Sequence, residues 1–264
     1  MKIALFQVDA FTSGPFSGNP AAVCPLIQWL PDAVLQGIAQ ENNLSETAFI
    51  VDRGERIDIR WFTPTIEVEL CGHATLASAH VVLESLGTRR DRVEFSSRSG
   101  PLIVERHPDF DEMLVLDFPS LPAEPCRPPP ALVDALGAQP AKILLAKNYL
   151  AVFENEAEVR GLAPDFRRLA DCHPHAVIAT APAKRHDFVS RFFAPSFGID
   201  EDPATGAAHC TLVPYWADRL EKRRLRGYQA SRRGAEMFCE NRGARVGIGG
   251  RCRLYLKGTI YVDA

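Results

Sequence analysis

Two segments of this 264-residue chain, one in each half, combine residue types suited to holding a small anion. Cys71-Gly72-His73-Ala74 opens one apolar run, and Thr205-Gly206-Ala207-Ala208 opens another. If each run is a helix, its first N–H groups lack intrahelical partners and carry the positive end of the helix dipole, which attracts a carboxylate. A glycine at each start lets backbone approach a ligand closely. A third segment, Asn43-Leu44-Ser45-Glu46-Thr47-Ala48-Phe49, sets the ionisable Glu46 between a helix-like run and a β-rich run. At a strand edge facing a cleft, with apolar walls raising its pKa, such a carboxylate suits general acid–base work. By itself it reads as no more than a solvated strand edge.

The two glycine segments are copies of one unit. Arg60-Trp61-Phe62-Thr63-Pro64 leads into the first, and Arg191-Phe192-Phe193-Ala194-Pro195 leads into the second. Gly72 and Gly206 lie 134 positions apart, as do Gly100 and Gly234 in the runs Ser97-Arg98-Ser99-Gly100 and Ser231-Arg232-Arg233-Gly234. Arg60 and Arg191 lie 131 apart, so the second copy gains three residues just before its helix, in the stretch carrying Asp200-Glu201-Asp202. Related halves with a cleft between them would bring both helix starts to one small molecule.

The elements that must position these residues follow from periodicity. Ala74, Leu76, Ala77, Ala79, Val81, Val82 and Leu83 leave little polar face, and Ala207, Ala208, Leu212, Val213, Tyr215 and Trp216 do much the same. Helices apolar nearly all round belong inside a domain. A twisted sheet wrapped about each would bury it, contributing ~1.5–3 kcal/mol for each large side chain. Strand patterns cover Ile3 to Phe11, Ala48 to Asp52, Ile57 to Phe62, Val93 to Ser96, Leu102 to Glu105 and Met113 to Phe118 in the first half. The second half offers Leu144 to Phe153, Ala176 to Thr180, Phe188 to Phe193, Ala235 to Cys239, Ala244 to Ile248 and Cys252 to Val262. Helices are expected from about Ala131 to Leu136 and from Val159 to Leu169. The proline-rich stretch Pro119 to Pro130 reads as a linker between domains 1–118 and 119–264, with the last strand free to pack back on the first. The fold class is α+β, as two pseudo-symmetric domains.

Composition excludes several other functions. A net charge of −3 without a long Lys/Arg stripe speaks against a nucleic-acid partner, and Arg219 to Arg226 reads as a solvated helix end. No apolar run reaches membrane-spanning length, and the chain enters a strand pattern at Lys2 without a signal peptide, so a cytoplasmic protein with no membrane partner is expected. Seven cysteines without a Cys-x-x-Cys pair point to reduced thiols. Cys172-His173-Pro174-His175 reads as a structural loop, His209 and His80 as core or cleft histidines, and no metal site is expected.

At this point the residues carry a family resemblance. Asp9-Ala10-Phe11 with Pro15-Phe16-Ser17-Gly18-Asn19-Pro20-Ala21-Ala22-Val23, the Glu46 segment, Leu70-Cys71-Gly72-His73-Ala74-Thr75 and Glu201-Asp202-Pro203-Ala204-Thr205-Gly206 together resemble the PhzF-like phenazine-biosynthesis family. The blocks fall in the family's order and span most of the chain. The resemblance implies the diaminopimelate epimerase-like fold, each domain a mixed β-sheet rolled around a central buried helix, with the active site in the cleft between the two. It implies an isomerase that needs neither metal nor organic cofactor and moves a proton on a small carboxylic acid. Glu46 becomes the acid–base, His73 and Asp202 become polar groups on the substrate, and Gly72 and Gly206 become carboxylate holders, with Asn19 a further cleft residue. One position departs from the family. The phenazine enzyme has a serine after its Thr-Gly, and here that residue is Ala207, which puts the phenazine precursor itself in doubt.

Two rival readings remain. A thiol-dependent racemase would use Cys71, ahead of Gly72, but needs a second cysteine where the other half has Pro203, while Cys210 lies inside the helix. A binding protein that kept the fold without activity is the other, since fold does not fix function. Strand edges in each roll make a homodimer an expectation as well.

Overall fold

The computed structural model describes residues 1–87, 91–110, 112–172 and 174–262, with Cys172 described by its backbone alone. The chain divides into two compact units. One comprises Met1–Asp117 together with the stretch from Gly249 onward, and the other comprises Phe118–Ile248. Among the described residues no helix is long and apolar enough to cross a membrane.

The first unit runs β1 (Lys2–Ala10), β2 (Asn19–Leu26), α1 (Asp32–Asn42), β3 (Glu46–Asp52), β4 (Ile57–Phe62), β5 (Glu67–Val68), α2 (Gly72–His80), β6 (Arg92–Ser97), β7 (Gly100–Arg106) and β8 (Met113–Pro119). The second runs β9 (Glu124–Pro125), α3 (Pro130–Leu136), β10 (Lys142–Leu145), β11 (Tyr149–Val152), α4 (Glu156–Gly161), α5 (Phe166–Leu169), β12 (Val177–Pro182), β13 (Phe188–Ala194), β14 (Ile199–Glu201), α6 (Gly206–Leu220), β15 (Arg224–Gln229) and β16 (Ala235–Asn241), followed by β17 (Arg245–Tyr261).

The duplication is written in the pairing. From β1 to β7 the neighbours alternate: β1 with β2 antiparallel, β2 with β3 parallel, β3 with β4 antiparallel, β4 with β6 parallel, and β6 with β7 antiparallel. The second unit repeats that order of senses from β10 to β16. In each copy a very short strand, β5 or β14, lies antiparallel on the strand before it and leads into the buried helix. In the first unit β17 runs antiparallel to β1, with Lys2 opposite Tyr261 and Ala10 opposite Cys252, and it also pairs with β8, closing the sheet.

The central helices are apolar nearly all round because α2 is buried on all sides and α6 is buried over most of its length, with Asp218 and Arg219 exposed near its end. Every residue of α2 from Gly72 to Ala79 is buried, packed mainly against β1, β2 and β3. Its small residues let the strands come close. Its two hydroxyls, Thr75 and Ser78, are satisfied by back-bonding to the carbonyls of Cys71 and Ala74. A single π-helical turn, Val81–Ser85, ends this helix. In α6 the stacked pair Phe188 and Trp216 fills the core, with ring centroids 5.9 Å apart, and the Trp216 indole donates to Thr180 Oγ1 at 3.0 Å.

The division between the units falls between Asp117 and Phe118, and the chain from Gly249 onward joins the first unit, because residues 252–261 pair with β1. Several expectations about individual elements need correction. The expected breaks between Ile248 and Cys252 are absent: Gly250 continues an extended strand, and a Cβ there would stand 2.4 Å from the Phe11 ring. Leu144 to Phe153 is two strands around a turn at Asn148, and Pro164 splits the expected helix at 159–169 into α4 and α5. The Arg-rich run at 223–226 leads into β15, whose Leu225, Gly227 and Gln229 are buried while Arg224 and Arg226 face outward. Nor is the proline-rich stretch a free tether. Pro214 has no N–H to give the Cys210 carbonyl, and Leu121 supplies one at 2.9 Å.

Candidate functional site

In the first unit, parallel pairing of β2 and β3 sets Ala21 opposite Glu46, so Asn19 and Glu46 both sit at the starts of their strands. Gly18 turns the chain into β2 at φ +75°, where any Cβ would meet the Ala10 carbonyl. The N-terminus of α2 arrives at this same end. Asn19 Nδ2 lies 3.1 Å from His73 Nδ1, Cys71 Sγ lies 3.5 Å from that same nitrogen, and His73 Nε2 lies 3.2 Å from Glu46 Oε2. With Asn19 Nδ2, the donor end of its amide, turned to the ring, Nδ1 is the acceptor and the ring proton sits on Nε2, on the side of Glu46.

Burial holds the His73 pKa down at about 3, so the ring is neutral over the physiological range. The contact with Glu46 is therefore between a carboxyl group and a neutral imidazole, at hydrogen-bonding distance without the alignment of a straight bond. Glu46 is 13% exposed in its side chain, which gives it a path outward that His73, at 4%, lacks. Glu46, Cys71 and His73 offer donor atoms within 4.8 Å of one another and thus form a group that could hold a metal ion. The thiol is nearest Nδ1 of the ring and the carboxylate nearest Nε2, and the three side chains converge on one small volume.

In the second unit, Asp202, 9% exposed, follows β14 and accepts a hydrogen bond at 2.5 Å from Thr205 Oγ1. Gln229, 1% exposed on β15, locks the loop. Its Oε1 accepts from the Thr205 amide at 2.8 Å, and its Nε2 donates to the Asp202 carbonyl at 2.7 Å and approaches Thr205 Oγ1 at 3.2 Å. His209 Nδ1 donates to the Thr205 carbonyl at 2.9 Å, and burial pushes its pKa down to about 4. Ala207, the second residue of α6, presents only a methyl group. Neither Cys71 nor Thr205 caps its own helix with its side chain, which leaves the first amides of α2 and α6 without that partner.

The structure thus joins Asn19, Glu46, Cys71 and His73 in one unit and, in the other, Asp202 with Thr205, the residue just ahead of Gly206 and Ala207. Cys210 is buried, its thiol pKa raised to about 12, as befits a core residue. His80 is half-buried at the end of α2. His173 and the Cys172 side chain lie outside the described residues, while His175 Nδ1 donates to the Lys147 carbonyl at 2.9 Å.

Residues missed in the sequence are the supports: Thr205, Gln229 and two Arg–Glu pairs, Arg60 with Glu67 and Arg191 with Glu201. One signal was available. Glu67 and Glu201 lie 134 positions apart, the same offset as the glycines, and they pair with Phe62 and Phe193 in the two ladders. The three extra residues of the second copy therefore lie ahead of Asp200, at the 3₁₀ turn Pro195–Phe197, and not among the acidic residues.

A duplicated roll with a glycine-started buried helix in each copy defines the diaminopimelate epimerase-like class. A hydroxyproline epimerase from Agrobacterium vitis, solved with bound trans-4-hydroxy-L-proline, shares this fold at a TM-score of 0.68 and 10% identity, over 100% of this chain and 93% of that one. A PhzF-family protein from Enterococcus faecalis superposes at a TM-score of 0.95 with 43% identity, over 99% and 100% of the two chains. An uncharacterised isomerase from Pseudomonas aeruginosa is 49% identical over 99% of this chain and all of its own. Residues 8–258 match the family described as phenazine biosynthesis-like protein. The chain belongs to that PhzF-like family and is an isomerase.

Proposed function

We propose that the chain is a cofactor-independent isomerase that moves a proton on a small amino or hydroxy carboxylic acid, with Glu46 as the group that takes and returns it. The observation that carries this reading is the neutral, buried His73 ring, held by Asn19 with its proton toward Glu46. Such a ring can steady a carboxylate without the charge that would make it a poor base. Asp202, tied to Thr205, is assigned the substrate's amino or hydroxyl group, and the amides at Gly72 and Gly206 its carboxylate. With Ala207 supplying no hydroxyl, a substrate that relies on one there would lose a charge-assisted bond of ~1.5–3 kcal/mol, so the reading favours acids other than the phenazine precursor.

A panel of unsaturated and α-amino carboxylic acids, incubated in D₂O with a chelator and followed by mass spectrometry, tests it. Deuterium uptake by wild type and its loss in Glu46→Gln is the expected result. Equal uptake in both would remove Glu46 from the mechanism. One contact supports a second reading: Cys71 Sγ lies 3.5 Å from His73 Nδ1, in the same cluster as Glu46, which makes the thiol a second group placed to exchange a proton with a substrate. Complete loss of uptake in a folded Cys71→Ser variant would favour that thiol mechanism.

A further inference from the structure

The turns that carry the site residues are each anchored by the same device. Arg60 Nε and Nη2 meet Glu67 Oε1 and Oε2 at 2.7 Å each, and Arg191 Nε and Nη2 meet Glu201 at 2.7 and 2.9 Å. Each guanidinium also lies over the ring of the phenylalanine two residues on, 5.1 Å from the centre of Phe62 and 4.8 Å from that of Phe193. Each glutamate sits on the short strand β5 or β14, five residues before the helix glycine, and Glu201 directly adjoins Asp202. Ladders of two and three residues cannot hold such a ribbon alone. A planar fork gripping a carboxylate by two bonds fixes direction as well as distance.

We propose that these Arg–Glu pairs are positioning residues: Arg191 with Glu201 sets the backbone from which Asp202 projects, and Arg60 with Glu67 sets the turn leading to Cys71 and His73. Their place in the reaction rests on the function proposed above. The two clamps differ in what backs them. Arg191 Nη1 also donates to the carbonyls of Leu162 at 2.7 Å and Val159 at 3.3 Å, tying the second clamp to the end of α4. In the first, Glu67 keeps a second cation, Arg98, at 2.8 Å, and Arg60 a second anion, Asp32, at 2.9 Å. Losing Arg191 strands Glu201, whereas losing Arg60 leaves Glu67 partnered.

Site-resolved amide hydrogen exchange on the full chain tests this without any substrate. The Asp202 amide donates to the Phe192 carbonyl and the Thr205 amide to Gln229 Oε1. In Arg191→Met both should exchange at least tenfold faster, while amides of β11 keep the wild-type rate. Arg191→Lys, which restores the charge but not the fork, should fall between. Arg60→Met should speed exchange of the Thr63 amide, bonded to the Ile66 carbonyl, by a smaller factor. If Arg191→Met does not fold, Glu201→Gln is read the same way. Unchanged rates at Asp202 and Thr205, or an acceleration shared equally by β11, would overturn the proposal and leave the pairs with a general stabilising role. An inactive Glu46 would leave these rates untouched, so the two proposals fail separately.

Discussion

At the entrance of α2 the residue after the glycine is His73, whose ring joins Asn19, Cys71 and Glu46. At the entrance of α6 the same position is Ala207, and the polar groups lie ahead of the glycine instead, in Asp202 and Thr205. The frames are the same. Thr75 and His209, at equivalent places in the two helices, each return a hydrogen bond to the carbonyl just before the glycine. Duplication has preserved the parts that fix backbone and changed the side chains around each glycine. The groups to which the proposed function gives the proton are in the first unit, and a hydrogen-bonded lock is in the second.

The largest effect should come from breaking the first half of that contrast. Glu46→Gln keeps shape but cannot exchange a proton, and deuterium uptake should fall by at least ~10²–10⁴-fold. If uptake persists, the division of labour is reversed and Asp202 is the base. Next is Asp202→Asn, which keeps the shape of the Thr205 contact while removing its charge. Titration of ligand binding should show affinity weakened about tenfold or more, with a smaller change in turnover.

Gln229→Met probes the lock through stability. It leaves the Thr205 amide and the Asp202 carbonyl without their buried partner, at a cost of about 1–3 kcal/mol. Urea unfolding should show a lower midpoint with an unchanged slope. The two helix histidines give both units a common acid response. Burial sets the folded pKa of His73 at about 3 and of His209 at about 4, below the unfolded value near 6.5, so the folded state binds fewer protons. The stability they confer is full above pH 6.5 and lost as pH falls through 4 toward 3, with a slope of at most about 1.4 kcal/mol per pH unit for each histidine. Urea midpoints across that range should decline less steeply in His209→Gln. The smallest effect belongs to Cys71→Ser, which should retain most deuterium uptake if, as proposed, the carboxylate and not the thiol carries the proton.

Much of this arrangement was legible beforehand because it is local. The duplicated glycine turns, the all-apolar helices and the Glu46 segment are short-range patterns, and the structure places helix starts at Gly72 and Gly206 as expected. What was hidden depends on distant pairing. Gln229 looked like one polar residue after a charged run, and only the parallel pairing of β13 with β15, which sets it beside Ser190, brings it under the Asp202 loop. Asn19 was expected at the site from the resemblance, but its partner was not: β2 lies between β1 and β3, and this position sets the Asn19 amide beside His73.

The route of β17 has a consequence in time. Strand β1 is paired on one side by β2 and on the other by residues 252–261, which are synthesised long after it. At ordinary elongation rates, on the order of 10 s pass between completion of β8 and arrival of that strand. The second unit, contiguous from Phe118 to Ile248, has all its residues first, although its synthesis begins later. Meanwhile one edge of β1 stays open, with its N–H and C=O groups unpaired, and an open strand edge invites pairing with other chains. The nascent protein is therefore vulnerable along β1 until residues 252–261 have been made, and those residues are what protects it.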